Sequence, residues 1–375
     1  MAIDNKDKKI LNVPHLRFPE FSGEWEMVSL QDIATINPKS DPLQNTFIYI
    51  DLEAVEKGEL RKIQEIMREE APSRAQRVID NNDILFQCVR PYQKNNYIHR
   101  ILNTSNQQWV ASTGYAQIRT TELPNYIYHL LNTDEFNRKV MVRCTGSSYP
   151  AINSEDLATI HLYYTPDKKE QLKISRLLDL LDKRIATQNK IIEKLQSLIK
   201  GLAVALTTKE KANIAISQCL ECHSSTLQES EVLSSGLCKV FGANGLVGYK
   251  DVPQMNGDAI LVIKDGSGVG TVSYAQGKFS VIGTLNYLTV IGNNDLRYLY
   301  FALSVFNFQP YKTGMAIPHI YFKDYGKAKI YCPSLAEQKR VANVLDKLES
   351  KLFVEQELLA SFNQQKLYLL GKMFI

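Results

Sequence analysis

The chain contains a tandem internal repeat, and this feature limits its architecture more than any other. Residues 145–150, with the sequence TGSSYP, return as residues 313–318, with the sequence TGMAIP, at an offset of 168 residues. After a deletion of one residue, the match resumes with Glu170-Gln171 opposite Glu337-Gln338. A fixed period of this kind indicates that one structural unit occurs twice. We therefore expect two domains with a common scaffold.

A long segment with heptad character follows each match, because its apolar residues alternate at spacings of three and four. Such spacing is typical of a coiled-coil seam. The first seam consists of Leu178, Leu181, Ile185, Ile192 and Leu195, with Gln188 as a polar interruption. The second seam consists of Leu345, Leu348, Leu352, Leu359 and Phe362, with Glu355 at the position equivalent to Gln188.

Capping signals place the starts of the two helices at equivalent points. Asp167 with Glu170, and Ser334 with Glu337, occupy the positions of an N-cap and its partner three residues later. A 40-residue helix spans about 60 Å at 1.5 Å per residue, which is longer than a domain of this size is wide. We therefore predict that the two seams pack against each other, with Gln188 and Glu355 setting the register. The alternative is that each helix packs only on its own domain.

The segments in front of the helices have short β-branched and aromatic runs and turn residues, which indicates mixed α/β domains. The glycine-rich run 265–270 lacks the spacing and the lysine of a phosphate-binding loop, so it predicts a hairpin turn between Ile263 and Val272. The predicted segments are a tail at 1–15, a first domain at 16–166, a first long helix at 167–208, a second domain at 209–333 and a second long helix at 334–375.

Composition narrows the class of protein. The 375 residues are 44% hydrophobic and 22% charged, which indicates packed domains and excludes a disordered chain. No apolar run reaches the ~18 residues of a membrane span, and residues 1–10 carry charges where a signal peptide is apolar, so we expect a cytoplasmic protein. Cys219, Cys222 and His223 have the Cys-x-x-Cys-His spacing of covalent haem attachment, but that chemistry belongs to exported proteins, and a zinc site would need a second ligand pair. The six scattered cysteines therefore indicate reduced thiols.

Charge is unevenly distributed along the first domain. Residues 1–83 carry 11 basic and 16 acidic side chains, a net charge of −5, whereas residues 84–154 carry 7 and 3, a net charge of +4. Residues 84–121 contain no acid, and residues 296–323 of the second domain contain none either. Lysine and arginine neutralise phosphates, and arginine and asparagine pair with base edges, so these segments favour DNA binding. An ordinary solvated surface is the alternative.

Two domains with divergent surfaces also suit duplex DNA, which repeats its groove every ~34 Å. The DNA-contacting candidates in the first domain are Arg90, Tyr92, Lys94, Asn95, Asn96, Tyr97 and Arg100. Those in the second domain are Lys264, Ser267, Lys278, Lys312 and His319. Two further basic residues, Arg297 and Lys323, lie in the acid-free stretch 296–323 together with Lys312 and His319. No metalloprotease, hydrolase or paired Cys-x-x-Cys motif occurs, so the sequence predicts no catalytic site and no metal site.

The ordered motifs resemble a known family. Leu16-Arg17-Phe18-Pro19-Glu20-Phe21 is followed by Trp25, and then Gly-x-x-x-Pro, Pro-x-x-x-Glu-Gln and a long helix occur twice. This pattern, from about Val13 onward, resembles the DNA-specificity subunit of type I restriction–modification enzymes. The resemblance implies an α+β fold in which two target-recognition domains are separated by a long antiparallel two-helix coiled coil. It also adds Ser147, Ser148, Tyr149 and His319, near the ends of the recognition domains, as DNA contacts.

The resemblance further implies a non-catalytic subunit that reads a bipartite double-stranded DNA target. Its partners would be two modification subunits, which carry S-adenosylmethionine and methylate adenine, and two restriction subunits, which use ATP and Mg. No cofactor is expected on this chain, and no membrane. Two alternatives stay open, namely a coiled-coil scaffold whose domains bind proteins and a self-sufficient DNA methyltransferase.

Overall fold

The computed structural model describes residues 12–101 and 107–375, and it divides the chain into two compact units. Unit 1 combines residues 1–187 with residues 359–375, and unit 2 comprises residues 188–358. These units differ from the segments inferred from sequence because each takes part of both long helices. Most of the tail inferred at 1–15 lies outside the described residues.

The globular part of unit 1, the first domain, contains twelve strands and four helices among its described residues. Its strands are β1 (Glu26–Ser29), β2 (Ala34–Ile36), β3 (Thr46–Ile50), β4 (Val55–Glu56), β5 (Glu59–Leu60), β6 (Gln64–Met67), β7 (Ala75–Ile79), β8 (Ile84–Gln87), β9 (Tyr97–Ile98), β10 (Gln108–Ser112), β11 (Tyr115–Thr120) and β12 (His161–Tyr164). Its helices are α1 (Leu30–Ile33), α2 (Pro124–Leu131), α3 (Asp134–Arg143) and α4 (Ser154–Ala158), with 3-10 turns at Arg68–Glu70 and Pro91–Gln93.

The long helix α5 (Lys168–Thr207) follows, and the globular part of unit 2 is the second domain. Its strands are β13 (Ile214–Ala215), β14 (Leu220–Ser224), β15 (Cys238–Gly242), β16 (Gly245–Lys250), β17 (Met255–Asn256), β18 (Ala259–Ile263), β19 (Val272–Ala275), β20 (Lys278–Val281), β21 (Leu285–Val290) and β22 (Lys329–Ile330). Its helices are α6 (Leu296–Ser304) and α7 (Phe322–Tyr325), with 3-10 turns at Ile216–Gln218, Glu229–Glu231 and Gln309–Tyr311. The long helix α8 (Leu335–Met373) ends the fold.

The two domains share one topology, which confirms the internal repeat. The first domain has four-stranded sheets in the orders β6-β3-β10-β7 and β2-β11-β8-β9, and the second has the matching orders β16-β15-β20-β17 and β14-β21-β18-β19. In both domains the middle pair of one sheet is parallel, namely β3 with β10 and β15 with β20. The glycine-rich run lies between the antiparallel strands β18 and β19, so the predicted hairpin is confirmed.

The two long helices pack on each other, as the seams predicted. In unit 1, the Lys366 ammonium on α8 lies 2.6 Å from Asp182 on α5, and in unit 2, Gln188 Nε2 on α5 donates to the backbone carbonyl of Glu355 on α8 at 3.0 Å. The contact with the earlier residue of α5, Asp182, is made by the later residue of α8, Lys366, so the pair is antiparallel. The seam side chains predicted from the sequence are all buried or half-buried. The fold class is confirmed.

A polar layer interrupts this seam at the predicted position. The side chains of Gln188 and Glu355 are only 5% and 7% exposed, and the amide of Gln188 also donates to the carboxylate of Glu355. Hydrogen bonds from Lys351 and Gln188 hold the pKa of Glu355 below its usual range. A buried polar pair is satisfied only when both members face each other, so this layer favours one register of the two helices.

The repeated Glu-Gln motif joins each long helix to the domain in front of it. Gln171 Nε2 donates to the carbonyl of Thr165 at 2.8 Å, and its Oε1 accepts from the amide of Leu123, the residue before α2, at 3.3 Å. Gln338 repeats this arrangement with the carbonyl of Pro333 and the amide of Asp295. A buried side-chain amide that bridges two backbone segments fixes their spacing, which gives the motif a structural role in both copies.

The segment between Leu16 and Trp25 docks on the helix ends within unit 1. Arg17 forms a bidentate ion pair with Glu170, at 2.7 and 2.8 Å, and the carboxylate of Glu170 is fully buried. Trp25 packs edge-on against Phe374, with their ring centroids 6.0 Å apart. The Leu-Arg-Phe motif is thus part of the joint between the first domain and both long helices.

A buried histidine makes the first domain sensitive to acid. His99 is fully buried beside Trp109, with the ring centroids 5.0 Å apart, and neither ring nitrogen has a hydrogen-bond partner among the described residues. Burial lowers the pKa of His99 to about 4, although the carboxylates of Asp83 and Asp80 oppose the shift. The folded domain therefore holds this imidazole neutral at pH values where the unfolded chain protonates it.

We expect the free energy of unfolding to fall by about 2–3 kcal/mol between pH 6.5 and pH 4 because of His99, since each unit of pKa difference corresponds to about 1.4 kcal/mol. The unfolded state binds more protons in this window, so stability rises with pH. Denaturant unfolding of wild type and His99→Phe across this range measures the contribution. The variant keeps an aromatic ring without a titratable group, and an equally steep pH dependence in both proteins would contradict the assignment.

Candidate nucleic-acid interface

Two loops of the first domain lie side by side and present most of the exposed candidate residues. We call residues 89–94 and 145–151 the first loop pair. Thr145 and Ala151 exchange both backbone hydrogen bonds at 2.9 Å, which closes the second of these loops. The amide of Arg90 donates to the carbonyl of Pro150 at 2.7 Å, and the amide of Ile152 donates to the carbonyl of Cys88 at 3.1 Å. These two hydrogen bonds fix the two loops to each other.

The second domain builds the same arrangement from different residues. We call residues 265–270 and 313–319 the second loop pair. Thr313 and His319 exchange backbone hydrogen bonds at 2.9 and 2.8 Å, and the amide of Gly266 donates to the carbonyl of Pro318 at 2.9 Å. The amide of Ile320 donates to the carbonyl of Lys264 at 2.9 Å. Gly146 and Gly314 have the same φ of 88°. The backbone framework of the loop pair is therefore common to both domains.

Arg90 adopts a backbone conformation that its counterpart reaches with glycine. Its φ is 56°, in the left-handed region, while the equivalent Gly266 has a φ of 98°. Left-handed backbone is unfavourable for a residue with a Cβ and is concentrated at functional sites. The conformation orients the Arg90 side chain, whose guanidinium lies 4.4 Å from the centroid of the Tyr149 ring.

The first loop pair therefore offers several hydrogen-bonding groups at one place. Tyr149 and Tyr92 are 63% and 50% exposed, and Ser147 and Ser148 are exposed beside them. Hydroxyl groups, a phenol and a stacked guanidinium match the polar edges of bases and the oxygens of phosphates. The structure thus brings two groups of candidates to one surface, although more than fifty residues of chain separate the groups. The five residues are Arg90 and Tyr92 in one loop and Ser147, Ser148 and Tyr149 in the other.

The other candidates of the first domain are engaged within the protein. Lys94 pairs with Asp134 at 2.6 Å, and Arg100 lies 3.4 Å from Asp179 on α5. The side chain of Asn95 accepts a hydrogen bond from the amide of Lys57. Asn96 and Tyr97 are buried, with 2% and 7% exposure, and Asn96 accepts from the amide of Gln87. These side chains contribute to the fold in this structure, and Asn96 and Tyr97 do not face the surface.

The candidates of the second domain divide in a similar way. Ser267 is exposed within the second loop pair, and His319 and Lys312 are half-buried at the base of its longer loop. Lys264 precedes the pair and is half-buried. Lys278 is exposed but begins β20 in the other sheet of the domain. Arg297 is directed to α8, where its Nε lies 2.6 Å from Asp346, so its charge is neutralised inside the protein.

Several exposed side chains of the second loop pair escaped the sequence analysis. Met315 is fully exposed, Ile317 is 67% exposed and Tyr321, just beyond the loop, is 49% exposed. Lys323 lies over the Tyr321 ring, 5.1 Å from its centroid. Met315 and Ile317 were not predicted because they are apolar, whereas the predicted DNA contacts are basic or polar residues. The sequence signal that could have identified them is the alignment of the two repeats, in which Met315 corresponds to Ser147 and Ile317 to Tyr149.

Charge on the two surfaces is mixed. Asp265 lies next to His319 in the second loop pair, where their backbones form a β-bridge, so this surface is not uniformly positive. In the first domain, burial lowers the pKa of Arg77, and its Nε has no hydrogen-bond partner among the described residues. The first domain therefore also holds a half-buried cation.

Residues 12–101 and 107–375 show neither a metal-binding cluster nor a membrane-spanning helix. Within these ranges no group of three or more His, Cys, Asp or Glu side chains is placed to hold a metal ion. His223, one of the residues with partial zinc spacing, stacks on Tyr287 with ring centroids 4.8 Å apart. No helix in the same ranges combines the length and the apolar character that a membrane span requires.

The chain contains two copies of one α/β domain, and each copy has a closed loop pair and is joined to both long helices. Such a duplicated domain with exposed polar loops is typical of a protein that recognises a ligand at two places. The family model described as the type I restriction modification DNA specificity domain matches residues 22–197 and 223–364, which is most of the chain. The chain belongs to this family. The resemblance noted in the sequence is therefore confirmed.

Curated relatives agree with this assignment. The chain is 24% identical over 110 residues to the type I restriction enzyme EcoprrI specificity subunit of Escherichia coli, covering 29% of this chain and 27% of that protein. It is 23% identical over 186 residues to the HindI specificity subunit of Haemophilus influenzae, covering 48% and 37%. The aligned regions thus span 27% and 37% of the length of these relatives.

The structural likeness extends over nearly the whole chain. The crystal structure of the S subunit of a type I restriction-modification system from M. genitalium superposes with a TM-score of 0.67 and 17% identity, covering 97% of this chain and 99% of that one. A chain from a structure on complex assembly and conformational transition of the type I R-M system gives a TM-score of 0.56 at 20% identity, covering 93% and 97%. At these identities the likeness concerns the fold.

Proposed function

We propose that this chain is the DNA-specificity subunit of a type I restriction–modification system and reads a bipartite target in double-stranded DNA. Each domain would read one half-site through its loop pair. The two long helices would set the number of base pairs between the half-sites. Membership of the specificity-domain family supports this proposal.

The single observation that carries the proposal is the loop pair that occurs twice. The two pairs have the same backbone hydrogen bonds and the same glycine conformation, yet their exposed tips differ chemically. A common scaffold with different side chains is what two readers of different base sequences require, because sequence is read by side chains at base edges while the scaffold fixes their approach.

The subunit would act without catalysing a reaction and would direct partner subunits to the bound DNA. We propose two modification subunits, which bind S-adenosylmethionine and methylate adenine, and two restriction subunits, which use ATP and Mg. The long helices offer a surface for such partners, since α8 exposes Phe353, Val354 and Leu358 and α5 exposes Leu180. Exposed apolar side chains along a helix favour docking of another protein.

Binding to DNA at two salt concentrations tests the proposal against a protein-binding scaffold. The full chain, alone and with its modification subunit, is mixed with a random duplex pool, and the bound fraction is sequenced after selection. We expect two short half-sites at a fixed separation and a steep loss of affinity with salt. A chain that binds modification subunits but selects no DNA sequence would instead be a scaffold.

Calorimetry with S-adenosylmethionine tests the remaining alternative. A self-sufficient methyltransferase must bind this cofactor by itself, so the isolated chain would release or absorb heat on titration. We expect no heat from the chain alone and binding once the modification subunit is present. Mapping of methylated adenines in cells that express the complex would then give both half-sites and the gap together.

Arg90→Ala is expected to lower the affinity for the selected target by about 1–3 kcal/mol, because the guanidinium is fixed over Tyr149 in the first loop pair. A base contact would relax the preference at one position of one half-site, whereas a phosphate contact would make the salt dependence shallower. Arg138→Ala is the matched control, because this exposed arginine pairs with Glu135 within its own helix α3. Equal affinities of both variants and wild type would remove Arg90 from the interface.

A further inference from the structure

The longer loop of the second pair presents apolar side chains at its tip. Met315 is fully exposed and Ile317 is 67% exposed, with the small Ala316 between them. Side chains of this size gain free energy when they are buried away from water, and here they are left exposed. An isolated exposed apolar residue is ordinary, but two at the tip of one closed loop call for a physical reason.

The backbone holds this tip outward in a fixed conformation. The two hydrogen bonds between Thr313 and His319 close the loop, and the bond from Gly266 to Pro318 fastens it to the domain. Gly314 has a φ of 88°, and a Cβ at this position would lie 2.3 Å from the carbonyl oxygen of Ile317, so the turn requires glycine. Met315 and Ile317 are therefore presented by an ordered turn, which reduces the entropic cost of binding through them.

Polar and cationic groups surround the apolar tip. Lys312 and His319 flank the loop, and His319 packs against Tyr321 with their ring centroids 5.1 Å apart. The ammonium of Lys323 also lies over the Tyr321 ring, 5.1 Å from its centroid. Asp265 contributes the opposite charge at the base of the pair. An apolar tip between lysines suits a ligand whose edge is apolar at some points and whose flanks carry phosphates.

The equivalent tip of the first domain has a different chemistry on the same scaffold. Ser147 stands where the second domain has Met315, and Tyr149 stands where it has Ile317. The serines and the tyrosine hydroxyl form hydrogen bonds, whereas Met315 and Ile317 make only apolar contacts. The scaffold is thus kept while the recognising groups change, which indicates that the tips determine specificity.

We propose that Met315 and Ile317 determine the specificity of the second domain by contacting the 5-methyl groups of thymine. This proposal rests on the proposed function and specifies one base that the second half-site contains. The thymine methyl is the apolar group that a base pair exposes in the major groove, while the other base-edge positions there are hydrogen-bond donors and acceptors. Met315 and Ile317 have no side-chain donor or strong acceptor, so their contacts are apolar and suit a methyl group better than the hydrogen-bonding positions.

Replacement of thymine by deoxyuridine tests the proposal, because it removes only the methyl group. The full chain first selects its target from a random duplex pool, and each thymine of the target is then replaced in turn. We expect wild type to lose roughly 3- to 10-fold in affinity at one or more thymines of a single half-site, the scale of one buried methyl group. A Met315→Ser, Ile317→Ser variant should bind the thymine and deoxyuridine duplexes equally at those positions.

Ser147→Ala, Ser148→Ala is the matched control in the first loop pair. It should keep the deoxyuridine effect of wild type and alter selection only in the other half-site. The altered residues in both variants are exposed, so we expect unchanged thermal unfolding, which verifies that each protein is folded.

The outcomes separate the two proposals. Selection of two half-sites without any deoxyuridine effect, or with an effect that persists in the Met315, Ile317 variant, would overturn the assignment of these residues and leave the DNA-reading function intact. A variant that loses affinity equally for thymine and deoxyuridine duplexes would point to insertion between bases and would also reject methyl reading. Absence of any sequence selection by wild type would reject the function itself.

Discussion

Removal of one heptad from each long helix is expected to shorten the preferred gap between the two DNA half-sites by about three base pairs. Seven residues contribute about 10 Å at 1.5 Å per residue, and duplex DNA rises about 3.4 Å per base pair. Seven residues also make nearly two helical turns, so the seam still faces its partner after the deletion. Because α5 is the segment of chain that joins the two domains, its length should determine the gap between the half-sites of the selected DNA.

The paired deletions are residues 185–191 and residues 352–358. Each contains one member of the polar pair, so Gln188 and Glu355 leave together and neither remains unpaired in the seam. The shortened chain is offered a random duplex pool, and the selected half-sites and gap are compared with those of wild type. We expect unchanged half-sites, a shorter gap and a loss of binding to the original target.

A double substitution that preserves helix length is the control for this experiment. Gln188→Leu with Glu355→Leu removes the same polar layer but deletes no residue, so the original gap should be retained. Replacing a buried polar pair by well-packed apolar residues often preserves or raises stability, at the cost of a defined register. If the shortened chain selected the original gap, the helices would not determine the spacing.

The architecture was predictable because its signals are local or periodic. The repeated TGxxxP and Glu-Gln segments are contiguous in the chain, and the seam from Leu178 to Leu195 obeys a heptad period that any antiparallel partner must match. The hairpin around Gly266–Gly270 needed only its glycines and the flanking β-branched residues. The structure confirms these predictions because the local sequence pattern and the packing of the surrounding side chains favour the same conformation.

The interface was predictable only in part because composition does not give the direction of a side chain. Lys94 and Arg90 contribute equally to a basic segment, but Lys94 pairs with Asp134, forty residues away, while Arg90 stacks on Tyr149 at the surface. Asn96 was a candidate because its side chain is polar, but that side chain is buried. It accepts a hydrogen bond from the amide of Gln87 and donates one to Asn132 within the first domain. Closure of each loop pair depends on contacts between distant segments, which no local pattern fixes.

The same limit explains why Arg297 belongs to the fold and not to the acid-free surface. Its guanidinium lies 2.6 Å from both Asp346 and Glu349 on α8, and it packs 4.3 Å from the Tyr274 ring centroid and 4.9 Å from that of Tyr300. In the first domain, Asn125 of α2 occupies the equivalent position. It donates a hydrogen bond to Asp179, which is the counterpart of Asp346. At this position the second domain has an arginine that pairs with two carboxylates of α8, whereas the first domain has an amide beside the contacts of Asp179 with Arg100 and His129.

Arg297→Ala is expected to destabilise the second domain by about 3–4 kcal/mol, because it removes the cation between two carboxylates and leaves a gap among aromatic rings. The estimate lies at the lower end for broken buried pairs, since the Arg297 side chain is 23% exposed and its partners are more so. Denaturant unfolding of the full chain, followed by a probe in the second domain, measures the loss. A DNA-binding measurement on the folded fraction should show the selected target unchanged.

Asn125→Ala provides the matched variant in the first domain, and we expect it to cost only about 1 kcal/mol, the usual worth of one hydrogen bond. Asp179 keeps its contact with His129, at 2.9 Å, and its pairing with Arg100, so no carboxylate is left alone. Arg297→Met separates packing from charge, because it fills the space between the rings without a guanidinium. If Arg297→Met were as stable as wild type, the two carboxylates would need no cation, and packing alone would explain why the second repeat has an arginine where the first has an asparagine.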